Sequence, residues 1–231
     1  MRLKPTNPAL AEARTIHPKS VRDPADHVVI KSVASNNKLG KGNNIIAKGP
    51  WSFMPLFSIT LQERATCPTD CHHWADCYGN NMAFAHRFEH GAALENKIMA
   101  EVEMLSRRYR SFAIRLHVLG DFYSPGYVMM WHDLLAKYDG LHVYGYTSRH
   151  GDDPIAAAIY CVQHSFPRRF VIRTSRNVEY HGDPTLRYAA NNDFTGDSIV
   201  CPEQTGKTES CLTCGLCFHP KINKTIKFLS H

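Results

Sequence analysis

The residues of this sequence best suited to chemistry are its cysteines, because seven of the eight fall into two short groups. The first group is Cys67, Cys71 and Cys77. The second group is Cys201, Cys211, Cys214 and Cys217. In a reducing compartment, clustered cysteines are more often metal ligands than disulfide partners. The sequence therefore predicts two metal sites, one with three thiolates and one with four.

The first group leaves a four-coordinate centre one ligand short. On zinc, His72 or His73 could complete a Cys3His site, or an open position could serve catalysis. On a [4Fe–4S] cluster, three cysteines leave one iron free to bind a substrate or a cofactor. The residues alone leave both metals open at this site.

The second group ends in three equally spaced cysteines, Cys211-x2-Cys214-x2-Cys217. Such a run is typical of ferredoxin loops that wrap a cubane cluster, whereas zinc sites usually pair two separated Cys-x2-Cys units. We therefore predict a fully ligated [4Fe–4S] cluster here, with zinc as the alternative metal. The remaining thiol, Cys161, falls on the apolar face of a helical segment and is expected to be a buried core residue.

An alternation of strand and helix patterns must position these cysteines. Strands are predicted at 57–61, 113–119, 141–146, 170–173 and 197–200, with a further candidate at 27–33. Helices are predicted at 85–109, 126–138 and 154–164, the second opened by Ser124-Pro125. Strands separated by helices of this length predict right-handed βαβ crossovers and a parallel sheet. We expect an α/β fold, with an open sheet or a partial (β/α) barrel.

The chain divides by composition into three predicted parts. Residues 1–50 form an N-terminal extension with loops, and 51–200 form the (β/α) core that carries the three-cysteine site. Residues 201–231 form a cysteine-rich C-terminal segment with the four-cysteine cluster.

Polar residues follow strand after strand of the predicted sheet. Because the C-terminal ends of parallel strands meet at one edge, where α/β proteins bind ligands, we predict a cofactor-binding site there. Its residues are Gly120, Asp121, Ser148, Arg149, Ser175 and Arg176, the last four from two copies of Thr-Ser-Arg. A helix cap at Asp121, and a turn followed by a surface arginine in each copy, are the structural alternatives.

A strand followed by Cys-x3-Cys-x5-Cys and by parallel βα units resembles the radical S-adenosylmethionine (SAM) superfamily. The usual superfamily spacing is Cys-x3-Cys-x2-Cys with an aromatic residue before the last cysteine; here the last gap is five residues and Asp76 precedes Cys77. The resemblance implies a partial (β/α) barrel in which Cys67, Cys71 and Cys77 hold a [4Fe–4S] cluster. Its open iron would bind SAM and, when reduced, cleave it to a 5′-deoxyadenosyl radical.

The same resemblance implies roles for other predicted residues. Gly120 and Asp121 would stand where the superfamily has a glycine-rich motif that contacts the methionine amino group. Arg149 and Arg176 would bind anionic groups of SAM or of the substrate. The second cysteine group would hold an auxiliary cluster, and an electron donor would be needed to reduce the protein.

From about Phe57 to the C-terminus the chain also resembles a family of phage proteins named after the gene 88 product of a mycobacteriophage. The shared features are Cys-x3-Cys-x5-Cys-Tyr, a strand ending in Gly-Asp-Phe, and the closing segment CPEQTGKTESCLTCGLCF. This resemblance implies a phage protein and no particular reaction.

The charge balance leaves a second class of function open. Lys and Arg number 27 against 21 Asp and Glu, a net charge of +6 that permits contact with nucleic acid. Lysines flank the core on both sides, at Lys38, Lys41, Lys48, Lys221, Lys224 and Lys227. The leading hypothesis is a radical-SAM-like iron–sulfur enzyme whose substrate is unknown. The alternative is a non-catalytic phage metalloprotein, with structural iron–sulfur or zinc sites, that binds nucleic acid.

The sequence also argues against several other classes. No apolar run approaches the roughly 20 residues of a membrane span, and the N-terminus has no apolar signal segment, so we expect a cytoplasmic protein without a membrane partner. A zinc hydrolase or deaminase ranks lowest because no His-x-Glu is paired with Pro-Cys-x-x-Cys in the expected order.

Overall fold

The computed structural model describes residues 1–175, 198–222 and 224–229, together with the backbone of Arg187–Ala190. Its strands are β1 (Val21–Arg22), β2 (Lys31–Ser32), β3 (Leu56–Ser58), β4 (Arg87–Phe88), β5 (Phe112–Leu116), β6 (Leu141–Thr147), β7 (Phe170–Thr174), β8 (Arg187–Ala190), β9 (Ser198–Val200) and β10 (Thr225–Lys227). Its α-helices are α1 (Pro8–Ala11), α2 (Ala92–Arg108), α3 (Pro125–Lys137), α4 (Pro154–Ser165) and α5 (Cys211–Cys214).

The central element is an eight-stranded sheet in the order β2-β3-β5-β6-β7-β8-β10-β9. Its pairs are parallel except for β2 with β3, so the sheet is mixed where the sequence predicts a purely parallel one. Strands β1 and β4 form a separate parallel ribbon. The fold is therefore α/β with an open strand order in the described residues, and the partial barrel of radical SAM type stays a prediction.

The two faces of the sheet are covered differently. Ile114, Val143 and Ile172 belong to one core cluster together with buried residues of α2, α3 and α4. Their neighbours in each strand face the opposite way, because side chains alternate along a strand. On that second face, Ala113, Tyr144 and Val171 belong to another cluster that includes Val33, Leu39, Ile46, Leu212 and Phe218. The N-terminal and cysteine-rich segments thus cover the second face of the sheet, against which the long helices do not pack.

Most of the predicted elements are confirmed within a few residues, because their boundary signals are local. Helix α3 begins at Pro125. The hydroxyl of the preceding residue, Ser124, accepts a hydrogen bond from the Tyr127 amide at 3.0 Å. Helix α4 begins at Pro154 and is capped in the same way by Asp153, whose Oδ1 accepts from the Ile155 amide at 2.8 Å. A side-chain acceptor before proline at the first helical position is a strong start signal.

Two predicted elements are wrong in extent. The helix expected from 85 begins only at Ala92, because Arg87–Phe88 pairs with β1 and Gly91 then turns the chain with φ 123°. The strand expected over 27–33 is reduced to Lys31–Ser32, because the amides of Val29 and Ile30 donate to the buried Glu101 carboxylate at 2.7–3.1 Å. The Glu101 carboxylate thus accepts the hydrogen bonds of two amides that the sequence predicts to pair with a neighbouring strand.

Segments from all three predicted parts of the chain meet in the cluster on the second face, while the predicted boundaries at 50 and 200 stay a prediction. None of the helices in the described ranges is both long and apolar enough to cross a membrane.

Candidate functional site

The first cysteine group lies at the C-terminal edge of the sheet. Beyond β3 the chain keeps running beside β5, with the Ile59 amide donating to Arg115 O at 3.2 Å and the Leu61 amide to Leu119 O at 3.0 Å. This path brings Cys67 close to Asp121. Burial raises the pKa of the Cys67 thiol well above its usual value, and the nearby charges of Asp121, Cys71 and Cys77 add to the effect. Cys71, Cys77 and the predicted Asp121 therefore all lie near Cys67.

Buried charged residues hold the ends of this loop. Glu63 and Arg87 form a fully buried ion pair with an Nε–Oε2 distance of 2.6 Å. Arg64 donates to Trp74 O at 2.9 Å and to the Asn80 side chain at 2.6 Å. Because these contacts join residues before Cys67 to residues after Cys71 and Cys77, they fix the loop that carries the three thiols.

The residues predicted at the ends of β5 and β6 are joined to each other, and to the loop after β3, by hydrogen bonds. The Asp121 amide donates to Thr66 Oγ1 at 3.1 Å, and Asp121 Oδ2 accepts from the Ser148 amide at 2.7 Å. Burial raises the pKa of the Asp121 carboxyl to about 6, although the amides of Ser148 and Phe122 oppose the rise. Gly120 makes the close approach possible: its φ is +83°, and a Cβ there would lie 2.6 Å from Thr66 Oγ1.

Arg149 braces this edge. Its Nε donates to Phe122 O at 3.1 Å and its Nη2 to Thr66 O at 2.9 Å. Its Nη1 lies 3.3 Å from an Asp153 carboxylate oxygen. Each guanidinium nitrogen of Arg149 thus has a protein acceptor, and the predicted binding of an anion stays a prediction.

The second Thr-Ser-Arg copy is described only in part. The Ser175 amide and hydroxyl both donate to Thr147 O, at 2.7 and 3.1 Å, which ties the end of β7 to the end of β6. Arg176 lies outside the described residues.

The four cysteines of the second group line one pocket. Helix α5 carries Cys211 and Cys214, and Gly215 ends it in the left-handed conformation with φ 75°. The segment docks on the N-terminal loop, with the Cys211 amide donating to Lys38 O at 3.0 Å and the Leu212 amide to Leu39 O at 3.3 Å. The loop over 36–44 is thus part of the support of this pocket.

Polar side chains of three adjacent strands lie beneath the pocket. Arg115 on β5, Tyr146 on β6 and Arg173 on β7 alternate with the residues that pack against the helices, so they face the cysteine segment. Arg173 is fully buried and donates to Cys217 O at 2.9 Å and Leu216 O at 3.0 Å. These three residues are not among the predicted site residues, although an arginine within an otherwise apolar strand, as at Arg115 and Arg173, is a usable signal.

Two of the flanking lysines also face this pocket. Lys38 forms an ion pair with Glu203 at 3.5 Å, and its charge opposes the rise in the pKa of Cys211. The charge of Lys48 has the same effect on the pKa of Cys214. Contact of these lysines with nucleic acid stays a prediction.

The fit of a metal centre can be tested on these donors. Within the described ranges, no three His, Cys, Asp or Glu side chains are arranged to hold a metal ion as they stand. Burial raises the pKa values of Cys77 to about 11 and of Cys211 to about 12, so both thiols are neutral at pH 7. Four sulfur donors in one pocket, with two guanidinium groups beneath them, match the chemistry of an anionic metal–thiolate centre. Binding would require the thiols to lose their protons and turn toward the metal.

Three other residues considered above, His72, His73 and Cys161, are exposed, and ligation of zinc by either histidine stays a prediction. His72 and His73 are exposed, and His73 lies 3.1 Å from an Asp76 carboxylate oxygen. Cys161 is exposed, so its predicted burial is wrong: the buried residues of α4 are Ile155, Ala156, Ile159, Val162 and Gln163. Cys161 occupies the opposite side of the helix.

Comparison with known proteins gives one match. The family model described as "Gene product 88" matches residues 29–215, which include both cysteine groups except Cys217. No curated protein and no solved structure shows significant similarity to this chain.

Proposed function

Since the chain belongs to the gene product 88 family, whose name states no reaction, we propose its function from the site: an iron–sulfur enzyme of the radical SAM type. In this proposal Cys67, Cys71 and Cys77 hold a [4Fe–4S] cluster with one open iron that binds SAM. The four cysteines of the second group hold an auxiliary cluster. The substrate is left open.

The proposal is carried by the position of the three thiols. Cys67 lies at the C-terminal edge of the parallel strands, near Cys71, Cys77 and the Asp121 that follows the Gly120 turn. Ligands of α/β proteins bind at this edge. When bound, a [4Fe–4S] cluster with an open iron would supply an electron for cleavage of SAM, and the protein supplies orientation and a shielded site.

The residues of the chain would keep the site rigid. Asp121 holds the Ser148 amide, and Arg149 joins the Thr66 and Phe122 carbonyls, so the loops after β3, β5 and β6 are locked to one another. A bound cofactor would therefore meet a preformed edge. Ser148, Ser175 and Arg176 are the proposed contacts for its polar and anionic groups.

The first experiment is the iron, sulfide and zinc content of anaerobically purified protein, with its visible spectrum. We expect about eight irons and eight sulfides per chain and a brown charge-transfer band. Cys71→Ala should lose about half of the iron, whereas the exposed Cys161→Ser, as the matched control, should keep all of it. Addition of SAM should change the EPR signal of the reduced protein, and this change should be absent in Cys71→Ala. One or two zinc ions without iron would contradict the proposal.

A cationic cluster favours a second candidate, binding of nucleic acid. Lys31 Nζ lies 3.2 Å from His86 Nδ1, and the rings of His27 and His86 are 6.0 Å apart. Burial and the charge of Arg22 lower the pKa of Lys31. A bound phosphate would be favourable here, because its negative charge would offset the repulsion between Lys31 and Arg22.

Binding to DNA and RNA, measured against salt concentration, tests this candidate. We expect affinity to fall steeply with salt, and the slope to decrease in Lys31→Ala. No detectable binding at low salt would exclude it.

A further inference from the structure

Buried polar atoms that lack a well-formed hydrogen bond concentrate at one place in the protein. Within the described residues, six buried side-chain nitrogen or oxygen atoms make no hydrogen bond of normal geometry. Four of them surround the four-cysteine pocket: Arg115 Nε, Tyr146 OH, Arg173 Nη1 and Thr208 Oγ1. Buried polar groups are normally satisfied, because leaving one unsatisfied destabilises the fold. Such a concentration indicates that these groups have a partner in the functional protein.

The charges at the pocket point to the nature of that partner. In the described part of the chain, neither Arg115 nor Arg173 has a carboxylate partner. Both lie near the thiols, Arg115 beside Cys211 and Arg173 beside Cys217. Arg173 is fully buried, and Arg115 is half-buried with its Nε atom inaccessible to solvent. A buried guanidinium without a counter-charge is strongly unfavourable, so an anion is the expected occupant.

Four thiolates around a divalent ion or a [4Fe–4S]²⁺ core carry a net charge of about −2. Two guanidinium groups match that charge. The Tyr146 hydroxyl faces the Cys217 sulfur, and the Thr208 hydroxyl faces the Cys214 sulfur, so each could donate to a thiolate.

We propose that Arg115, Tyr146 and Arg173 form a cationic floor, built on β5, β6 and β7, that retains an anionic metal–thiolate centre on the four cysteines. The inference deepens the auxiliary site of the proposed function and rests on a metal–thiolate centre being present there. It holds for iron and for zinc alike, because it depends on the charge of the centre and on its sulfur acceptors. These are positioning residues that act through the cysteines.

The test measures metal release from the full-length holoprotein to a chelator under anaerobic conditions. Arg115→Gln removes a charge, and Tyr146→Phe removes a single hydroxyl. Outer-shell partners of metal ligands typically contribute 10–100-fold to metal affinity, so we expect about 10–100-fold weaker retention of the metal at this site in each variant. Arg173→Gln also loses three bonds to carbonyls, including that of Ile222, and its folding is therefore checked first.

The matched controls are a tyrosine and an arginine that lie away from the four-cysteine pocket. Tyr127→Phe removes a buried hydroxyl from the helical face, and Arg169→Gln removes an arginine that donates to the carbonyls of Leu135 and Tyr138. Neither should change release. The thiolate-to-metal charge-transfer band should move in Tyr146→Phe and stay unchanged in Tyr127→Phe.

The outcomes separate the inference from the proposed function. Release from Arg115→Gln and Tyr146→Phe at the wild-type rate would overturn the cationic floor, even if iron and a response to SAM are found. Zinc at the four cysteines with faster release in both variants would support the floor and contradict the iron–sulfur enzyme. A four-cysteine site that takes up neither metal would overturn the floor, whatever the three-cysteine site binds.

Discussion

At the scale of single residues, burial decides how His117 responds to pH. This histidine follows β5 on the helical side, and its Nε2 lies 2.9 Å from the Tyr127 hydroxyl. Burial, together with the charge of Arg115, lowers the pKa of His117 to about 3. The unfolded chain has a histidine pKa of about 6.5, so between these values it binds more protons than the folded protein. His117 therefore destabilises the fold as the pH falls from about 6.5 toward about 3.

We expect the free energy of unfolding to fall with acidification by about 1.4 kcal/mol per pH unit through His117 alone. His117→Gln should lack this contribution between pH 6 and pH 4, because glutamine does not titrate. Denaturant unfolding at several pH values measures the difference in slope. His132→Gln, which replaces a half-buried histidine of α3, is the matched control for the substitution itself. Equal slopes in wild type and His117→Gln would contradict the argument.

The buried pair of Glu63 and Arg87 is the residue-scale support of the three-cysteine loop. Both side chains are inaccessible to solvent, and Arg87 also donates to the carbonyls of Gly79, Met82 and Ala85. Removing one partner of a buried pair leaves an uncompensated charge, at a cost of about 3–5 kcal/mol.

Arg87→Met should therefore destabilise the protein by about that amount and lower the iron content attributed to the cluster proposed on Cys67, Cys71 and Cys77. Thermal unfolding and iron analysis of the purified variant measure the two effects. The exposed pair of Arg107 and Glu103 provides the control, because Arg107→Met should change stability by less than about 1 kcal/mol. Loss of stability without loss of iron would show that the pair supports the fold and not the site.

At the scale of elements, the sequence is most informative where local chemistry sets a boundary. Ser124-Pro125 predicts the start of α3 because the cap and the proline act within one turn. The missing part of the strand over 27–33 could not be predicted in this way, since Glu101, about seventy residues further along the chain, supplies the acceptor. The cysteine groups were predictable from spacing alone. The arginines beneath them were not singled out, because only the order of the strands places Arg115 and Arg173 under one pocket.

The cap of α3 allows a direct measurement at this scale. Ser124→Ala should cost about 1 kcal/mol, because the Tyr127 amide loses its acceptor at the helix N-terminus. Ser106→Ala serves as the control: its hydroxyl donates to a carbonyl one turn back in α2, where no orphan amide depends on it. Urea unfolding of the two variants should differ by most of that amount. Equal stabilities would mean that water accepts the hydrogen bond of the Tyr127 amide about as well as the Ser124 hydroxyl does.

At the scale of the whole molecule, the two faces of the sheet depend on different forces. The helical face is closed by a large apolar cluster that includes residues of all three long helices. The second face is closed by a smaller cluster in which the segments over 33–51 and 211–218 cover Ala113, Tyr144 and Val171. Two arginines with unsatisfied nitrogens lie beneath that cover. A metal centre that neutralises them would therefore stabilise the second face far more than the first.

Hydrogen exchange before and after anaerobic removal of the metal tests this division. We expect amides over 33–51 and 211–218 to exchange faster in the metal-free protein. These two segments then lie over the guanidinium groups of Arg115 and Arg173 with no anion to neutralise them. Amides of α2, α3 and α4 should keep their protection, since their apolar cluster involves neither cysteine group. Cys161→Ser should behave as wild type in both states. Uniform loss of protection would instead mean that the sheet folds as one cooperative unit with its metal, and protection unchanged on both faces would mean that the cover is stable without it.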